Sequence, residues 1–281
     1  MKISIINKYD LEERTELMRP ELFKIGGLSV HGYGLMIGIG FIAALFLGCY
    51  RAKKKQMSDE AVIDIAILAG ICGFLGAKLL YVIVDFDDFL KDPLAVLGSS
   101  GFVLYGGVIA GVFVGWLYTH IKKLSFMEYF DLIMPEIALA QGFGRIGCFL
   151  AGCCYGRETD SWFGVVFPPE SMAPSGIKLI PTQLISAAGD FVLVIVLIVL
   201  ADIVFKGAKK SLKYGHVAGD IGCTYMFIYG VGRFLIEFLR NDYRGEIGFL
   251  STSQFISILI VAGGALIMVL NRKKLKSASE N

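Results

Sequence analysis

Two short stretches of the sequence combine residue types that could do chemistry. Residues 142–156 read GFGRIGCFLAGCCYG, with one arginine, five glycines and three cysteines, and residues 232–240 read GRFLIEFLR. Arginine presents a rigid fork of donors that suits phosphate, and glycine lets a ligand or a backbone approach closely. Cysteine becomes a nucleophile or a metal ligand once it ionises. The two stretches therefore suggest an anion site, a thiol site or both.

In the second stretch, Arg233, Glu237 and Arg240 follow one another at spacings of four and three. On a helix this spacing places all three on one face, so Arg233 can pair with Glu237. One interpretation is a neutralised pair that lets the helix insert into a membrane, with Arg240 reaching the interface. The other is an anion site, in which Arg145 and Arg240 come from different helices and hold one phosphodiester between them.

The cysteines of the first stretch are Cys148, Cys153 and Cys154, and their spacing matches neither the CxxC pairs of zinc sites nor a redox dithiol. Residues five apart on a helix point about 140° away from each other, so Cys148 meets Cys153 only if the helix breaks, for which Gly152 is suited. A disulfide, a metal site, a substrate-contacting thiol and plain packing all stay open. No motif indicates a soluble cofactor, a metal or a nucleic-acid partner.

The elements that must position these residues are membrane helices. The 281 residues are 55% hydrophobic and only 19% charged, with a mean hydropathy of +0.65, which is too apolar for an ordinary soluble domain. A helix of roughly 20 apolar residues crosses a bilayer core about 30 Å thick. We therefore predict an all-α polytopic membrane protein with about seven spans, at residues 30–50, 61–84, 101–119, 129–151, 183–205, 217–239 and 254–270.

Lysine and arginine set the predicted orientation. The loops after spans one, three and five and the C-terminal tail hold fourteen of these residues, and the opposite side holds nine. By the positive-inside rule, the N-terminus is outside and the C-terminus is cytoplasmic. We expect an outer N-terminal segment (1–29), one seven-helix catalytic domain (30–271) with a folded outer cap loop (152–182), and a basic cytoplasmic tail (272–281).

Across these spans, the chain resembles the prolipoprotein diacylglyceryl transferases of the bacterial cytoplasmic membrane. The order and placement of several motifs carry the resemblance: HGYGLMIGIGF (31–41), GAKLLYV (76–82), YGGVIAGV (105–112), GFGRIGCFLAGCCYGR (142–157), PTQL (181–184), YGVGRFLIEFLR (229–240) and STSQFISI (251–258). The resemblance implies an active site towards the outer leaflet, with membrane lipid, phosphatidylglycerol and the lipobox segment of a prolipoprotein as partners. A diacylglyceryl group passes to the lipobox cysteine thiol, which gives a thioether and glycerol 1-phosphate.

The resemblance also implies roles for individual residues. Tyr33 looks like the tyrosine that the family needs in its first span, and Gly156 like the functional glycine of its signature. Arg145 resembles the signature arginine, and Arg233, Glu237 and Arg240 match the motif of the sixth span. The expected catalytic residues are Arg145, Arg233, Tyr33 and Tyr105, and the expected phosphatidylglycerol ligands are Arg145, Arg233, Glu237, Arg240 and Gly156.

Three positions depart from the family pattern. Cys148 and Cys153 stand where the family has asparagine and glutamate, and Tyr105 stands where its third span has a histidine that is a candidate base. Tyrosine, with an unperturbed pKa of about 10, is a poor base at neutral pH. His31 is the histidine to test as its replacement. The alternatives to the family activity are a different acceptor for an anionic phospholipid, and a lipid-binding or transport protein without catalysis.

Overall fold

The computed structural model describes residues 21–26, 28–99, 101–208, 217–242 and 245–280, and these residues are mainly helical. The helices described are α1 Gly32–Lys54, α2 Asp59–Val84, α3 Phe86–Lys91, α4 Pro93–Gly98, α5 Leu104–Ile121, α6 Phe126–Ala151, α7 Thr182–Ala208, α8 Asp220–Glu237 and α9 Thr252–Glu280. Three antiparallel hairpins pair β1 Glu21–Ile25 with β2 Leu28–His31, β3 Val165–Val166 with β4 Lys178–Leu179, and β5 Glu246–Ile247 with β6 Leu250–Ser251.

Five of these helices are long and apolar enough to cross a membrane: Gly32–Lys54, Asp59–Val84, Leu104–Ile121, Thr182–Ile203 and Thr252–Lys273. Their side chains are mostly exposed, since only 6% of the apolar window of α2 and 33% of that of α7 is buried inside the protein. Apolar helices with so little internal burial require lipid around them. The prediction of an all-α membrane protein is confirmed at this level.

The other two predicted spans are also helices, α6 and α8, but they carry more charge. Asp131, Glu136 and Arg145 lie on α6, and Arg233 and Glu237 lie on α8. Charged side chains inside a bilayer are costly and usually face a partner or a polar cavity. The count of seven spans stays a prediction, and the two more polar helices are those that hold most of the candidate site.

The chain forms two compact units, one from Leu45 to Leu132 and the other from the described residues up to Ala44 together with those from Ile133 onward. In the first unit, α2 and α5 pack closely through glycines. A Cβ on Gly107 would lie 2.8 Å from the carbonyl oxygen of Gly73, and one on Gly76 would lie 2.6 Å from that of Gly106. Small residues at such positions let two helix backbones approach, which drives helix association in lipid.

In the other unit, α8 packs against α7 and α9, and the start of α1 packs against α6. A Cβ on Gly40 would lie 2.8 Å from Cβ of Phe143, and one on Gly147 would lie 3.2 Å from both the ring and the carbonyl oxygen of Tyr33. Gly147 therefore lets the first turn of α1 lie directly against the last turns of α6. This close packing brings Tyr33 beside the first candidate stretch.

The segment between α6 and α7 is folded, and its predicted role as an outer cap stays a prediction. It contains the hairpin β3–β4 and a small core of Phe167, Ala173 and Leu179, against which Phe149 and Tyr155 pack. Helix α9 continues through the predicted basic tail to Glu280. Of the predicted N-terminal segment (1–29), residues 1–20 and 27 lie outside the described residues, and strand Glu21–Ile25 pairs with strand Leu28–His31.

Candidate active site

Helix α6 ends in a Schellman motif that brings two of the three cysteines together. The Gly152 N–H donates to the carbonyl of Phe149 at 3.1 Å, and the Cys153 N–H donates to the carbonyl of Cys148 at 3.1 Å. Gly152 adopts the left-handed conformation that this motif requires, with φ of +69°. The helix therefore breaks at Gly152, the residue predicted from the sequence to be suited to a break.

The three thiols form a compact group. The Sγ atoms of Cys148, Cys153 and Cys154 all lie within 4.8 Å of one another, and those of Cys153 and Cys154 are 3.6 Å apart. All three are reduced in the structure, with no disulfide among them. Interaction with the Cys148 and Cys154 thiols, followed by burial, raises the pKa of the Cys153 thiol above its ordinary value. Without an added cation, Cys153 is protonated and is a poor nucleophile.

Residues at the start of α7 hold the backbone of this cluster. The Thr182 hydroxyl donates to the carbonyl of Cys154 at 2.7 Å, and the Gln183 Nε2 donates to that of Cys153 at 2.7 Å. Both side chains belong to residues that are 1% exposed. Cys154 adopts a left-handed φ of 66°, which is uncommon for a residue other than glycine. The backbone is therefore fixed in an unusual conformation that turns three thiols towards each other.

Arg145 is half-buried near the end of α6. It lies close enough to interact electrostatically with Tyr229, Cys148, Cys154 and Asp190. Within the described part of the chain, its guanidinium has no hydrogen bond and no salt bridge. Since a partly buried guanidinium is costly when its donors are unmet, this arginine is suited to an incoming anion.

Arg233 lies on α8, within electrostatic range of Arg145. Its NH1 donates to Glu237 Oε2 at 2.7 Å and its NH2 donates to Ser253 Oγ at 2.7 Å. Only 11% of the Arg233 side chain and 9% of the Glu237 side chain are exposed. The predicted contact between Arg233 and Glu237 is confirmed. Ser253, at the start of α9, also holds the Arg233 guanidinium in place.

Arg240, just past the end of α8, has a different environment. Its Nε donates to Asp242 Oδ1 at 2.9 Å and its NH2 donates to Asp242 Oδ2 at 2.7 Å, while Glu237 Oε2 lies 3.8 Å from Nε. A bidentate pair of this kind uses the fork with which arginine binds a phosphate. In this structure the fork of Arg240 faces a carboxylate of its own chain.

Gly156 joins the loop after α6 to the end of α8. It forms a β-bridge with Arg240, and its N–H donates to the carbonyl of Ile180 at 2.9 Å. A Cβ at this position would lie 2.7 Å from that carbonyl oxygen and 2.8 Å from the carbonyl oxygen of Leu239. The position has no room for a side chain, so glycine is required there by close backbone packing.

The remaining predicted residues lie in different surroundings. Tyr33 is 45% exposed and close enough to Arg145 and to the three cysteines to interact electrostatically with them. His31 is an exposed residue at the end of β2. Tyr105 lies in the first turn of α5, which belongs to the other compact unit. Tyr33 thus lies beside the arginine and cysteine group, whereas among the described residues no contact brings His31 to it.

Sequence reasoning gave no role to several residues that surround Arg145. Asp190 of α7 is 6% exposed, and its Oδ2 has no hydrogen-bond partner among the described residues. Tyr225 donates to Gln141 Oε1 at 2.9 Å, and its ring stacks on that of Tyr229 at 5.4 Å between centroids. Their positions on three apolar helices were visible in the sequence, but their shared surroundings depend on how those helices pack.

These features describe a helical membrane protein in which α6 and α8 bring Arg145 and Arg233 within electrostatic range of each other. The family model described as prolipoprotein diacylglyceryl transferase matches residues 20–270. The chain belongs to the prolipoprotein diacylglyceryl transferase family.

Curated relatives of similar length agree with this assignment. The chain is 44% identical over 259 residues to the phosphatidylglycerol--prolipoprotein diacylglyceryl transferase 2 of Clostridium perfringens (strain 13 / Type A), a match that covers 92% of this chain and 97% of the relative. It is 44% identical over 257 residues to the phosphatidylglycerol--prolipoprotein diacylglyceryl transferase of Clostridium tetani (strain Massachusetts / E88), covering 91% and 98%. The enzyme of that name from Finegoldia magna (strain ATCC 29328 / DSM 20472 / WAL 2508) is 32% identical over 260 residues, covering 92% and 98%.

Proposed function

We propose that this chain transfers the diacylglyceryl group of phosphatidylglycerol to the lipobox cysteine thiol of prolipoproteins, with release of glycerol 1-phosphate. The observation that carries the proposal is Arg145, a half-buried guanidinium with no hydrogen-bond partner in the described part of the chain. The names of the relatives supply the substrates, which are phosphatidylglycerol and prolipoprotein.

In this proposal, Arg145 binds the phosphate of the lipid. Negative charge grows on the phosphate oxygen as its bond to the glyceryl carbon breaks, and a preorganised donor stabilises that charge in the transition state. Arg233, held by Glu237 and Ser253, supplies the second positive charge near Arg145. Because its donors are already oriented, little reorganisation is needed when the lipid binds.

Arg240 and Gly156 act mainly as positioning residues. Arg240 is paired with Asp242, and the bridge between Gly156 and Arg240 holds the loop after α6 against the end of α8. Tyr33 lies beside the arginine and cysteine group and orients the substrate there. For Tyr105, we propose a role in orienting the substrate, and this proposal rests on the family resemblance alone.

We further propose the finer topology. Seven helices span the bacterial cytoplasmic membrane, including the more polar α6 and α8, with the N-terminus outside and the C-terminus in the cytoplasm. The spans form one catalytic domain over residues 30–271, and the segment 152–182 covers the active site at the outer leaflet. The excess of lysine and arginine on the inner loops and tail supports this orientation.

Complementation tests the proposed function. The chain is expressed in bacteria whose own transferase is depleted, and a lipoprotein precursor is followed by gel mobility and by incorporation of labelled lipid. We expect the wild-type chain to restore lipid incorporation and the Arg145→Ala variant to fail at equal membrane abundance. A folded wild-type chain that leaves the precursor unmodified would contradict the proposal, and so would full activity of Arg145→Ala.

A further inference from the structure

The thiol cluster of Cys148, Cys153 and Cys154 has the size of a metal site. Zinc–sulfur bonds are about 2.3 Å long, so the sulfur atoms around one zinc ion lie roughly 3.8–4.0 Å apart. The three Sγ atoms lie within 4.8 Å of one another, with Cys153 and Cys154 at 3.6 Å. Small rotations of the side chains would bring all three to bonding distance of one cation.

The cluster also has the support that metal ligands need. The Schellman motif fixes Cys148 relative to Cys153, and Thr182 and Gln183 hold the carbonyls of Cys154 and Cys153. Gln183 is 1% exposed, and its Oε1 has no hydrogen-bond partner among the described residues. Such outer contacts orient the ligands of a metal and tune its affinity.

The cluster offers three ligands and leaves room for a fourth. Over the residues that the structure describes, no further histidine, cysteine or carboxylate joins the group. Structural zinc sites are closed by four protein ligands, whereas catalytic sites have three and keep an open position. Cys148 and Cys153 are only half-buried, and Tyr33 beside them is 45% exposed, so a ligand can reach the cluster from outside.

We propose that these three cysteines bind one thiophilic divalent cation, Zn²⁺ by its chemistry, and that the acceptor thiol of the prolipoprotein completes the site as the fourth ligand. The inference rests on the proposed function, because it assigns the group that ionises the acceptor. A thiol coordinated to such a cation is deprotonated, and the thiolate is the nucleophile. The cation would thus replace the base that is missing where Tyr105 stands.

The charges around the cluster fit this role. One Zn²⁺ with three thiolates carries a net charge of −1, and Arg145 interacts electrostatically with both Cys148 and Cys154. The same arginine is the proposed ligand of the lipid phosphate. The cation would therefore hold the thiolate nucleophile, and the neighbouring Arg145 would hold the phosphate leaving group. A displacement at the glyceryl carbon requires these two groups to be close to each other.

The step balances without a redox partner. The acceptor S–H bond breaks on coordination and its proton passes to water. A sulfur electron pair then forms the bond to the terminal glyceryl carbon, while the carbon–oxygen bond to phosphate breaks and its electron pair stays on the departing glycerol 1-phosphate. The thioether product is neutral and a weaker ligand than a thiolate, so it leaves the cation.

Metal binding can be measured without catalysis. The full chain is purified in detergent and titrated with Cd²⁺, whose thiolate complexes absorb in the ultraviolet, and its zinc content is measured by mass spectrometry. We expect one cation per chain, a charge-transfer band that a lipobox peptide strengthens, and no such change with a peptide whose cysteine is serine. Cys153→Ser should lose the band, whereas Cys72→Ser, outside the cluster, should keep it. Absence of the band in folded, reduced wild-type protein, or a disulfide within the cluster, would overturn the inference.

Activity then separates the two proposals. Removal of the cation from wild-type protein with a chelator should lower the transfer rate by at least about a hundredfold, the size of a lost general base, and Zn²⁺ should restore it. Thermal unfolding checks that the metal-free chain stays folded. Full activity of metal-free protein would overturn the role of the cation and leave the proposed function standing. A metal-loaded, folded protein with no transferase activity would overturn the proposed function and the role of the cation in it, while cation binding by the cluster would stand.

Discussion

Arg240 and Asp242 form a bidentate ion pair two residues apart, with Nε to Oδ1 at 2.9 Å and NH2 to Oδ2 at 2.7 Å. Only 4% of the Arg240 side chain and 17% of the Asp242 side chain are exposed. The pair closes the end of α8 at the point where Gly156 bridges to Arg240. Since the fork of Arg240 faces Asp242, the pair maintains the local backbone. Of the three described arginines Arg145, Arg233 and Arg240, Arg145 is the one whose guanidinium has no hydrogen bond within the described part of the chain.

Asp242→Asn should destabilise the protein, because it removes the negative charge that faces the buried Arg240 at 2.7 Å and, among the described residues, leaves Glu237 at 3.8 Å as its remaining anionic contact. Removing one partner of a buried pair costs about 3 kcal/mol of unfolding free energy. Denaturant-induced unfolding in detergent measures this. Asp88→Asn is the matched control, because Asp88 pairs with Lys91 on the surface and should change little. Equal stability of the two variants would show that the Arg240 pair does not support the fold.

Arg145→Lys should lower the transfer rate by about 10²–10³-fold, the usual effect of losing a preorganised donor to a developing anion. Lysine keeps the charge but lacks the planar fork, so the experiment tests geometry as well as charge. Initial rates with labelled phosphatidylglycerol measure the effect. Arg157→Lys, at an exposed position in the following loop, is the control and should be close to wild type. A rate for Arg145→Lys near that of the control would remove the phosphate role.

Ser253→Ala should lower kcat while the protein stays folded. Ser253 accepts one of the two hydrogen bonds that Arg233 donates to Glu237 and Ser253, and a bond to a charged group contributes about 1.5–3 kcal/mol. If that orientation matters mainly in the transition state, the rate falls roughly tenfold or more. Ser257→Ala, one turn further along α9, removes a hydroxyl bonded to the Ser253 carbonyl and serves as the control. A change in KM alone would indicate a role in lipid binding and not in the reaction.

Gly156→Ala should disrupt the join between the loop and the end of α8. The added Cβ would lie 2.7 Å from the Ile180 carbonyl oxygen and 2.8 Å from that of Leu239, both of them backbone atoms. Overpacking of this kind costs about 1–3 kcal/mol of stability. Gly38→Ala meets no atom within 4 Å and is the control. Thermal unfolding and limited proteolysis of the loop would compare the stability of the two variants. A Gly156→Ala protein with wild-type stability and protease resistance would rule out the packing argument.

Tyr105→His restores the residue that the family has at this position, and we expect the variant to be as active as wild type or more active. Histidine, with an unperturbed pKa of about 6.5, can accept a proton near neutral pH, whereas tyrosine cannot. Transfer rates in purified protein, with and without a chelator, measure the outcome. A folded but inactive variant would show that the Tyr105 hydroxyl has a role of its own.

The sequence predicted the helices because membrane spans depend on local composition. Long apolar runs identified α2 and α7 to within a few residues, and the spacing of Arg233 and Glu237 predicted their contact. The break after α6 was also visible, because Gly152 follows the helical pattern. In each case the signal lies within a few turns of the chain.

Other features depend on the conformation of a loop or on the packing of helices, and these were missed. Asp242 belongs to a polar loop and gave no sign that it would occupy the fork of Arg240. Ser253 lies in STSQFISI, a motif that supported the resemblance but received no role. Neither contact can be read from the helical pattern of the sequence.

The bridge between Gly156 and Arg240 has a consequence for biogenesis. In the mature protein, the N–H of Arg157 donates to the carbonyl of Leu239 at 2.9 Å. The loop after α6 is synthesised well before α8, so this hydrogen bond can form only after Leu239 has been made. Domains and membrane segments are made from the N-terminus onward. A nascent chain arrested before α8 should expose this loop to protease, and its protection should arise only when α8 has been inserted.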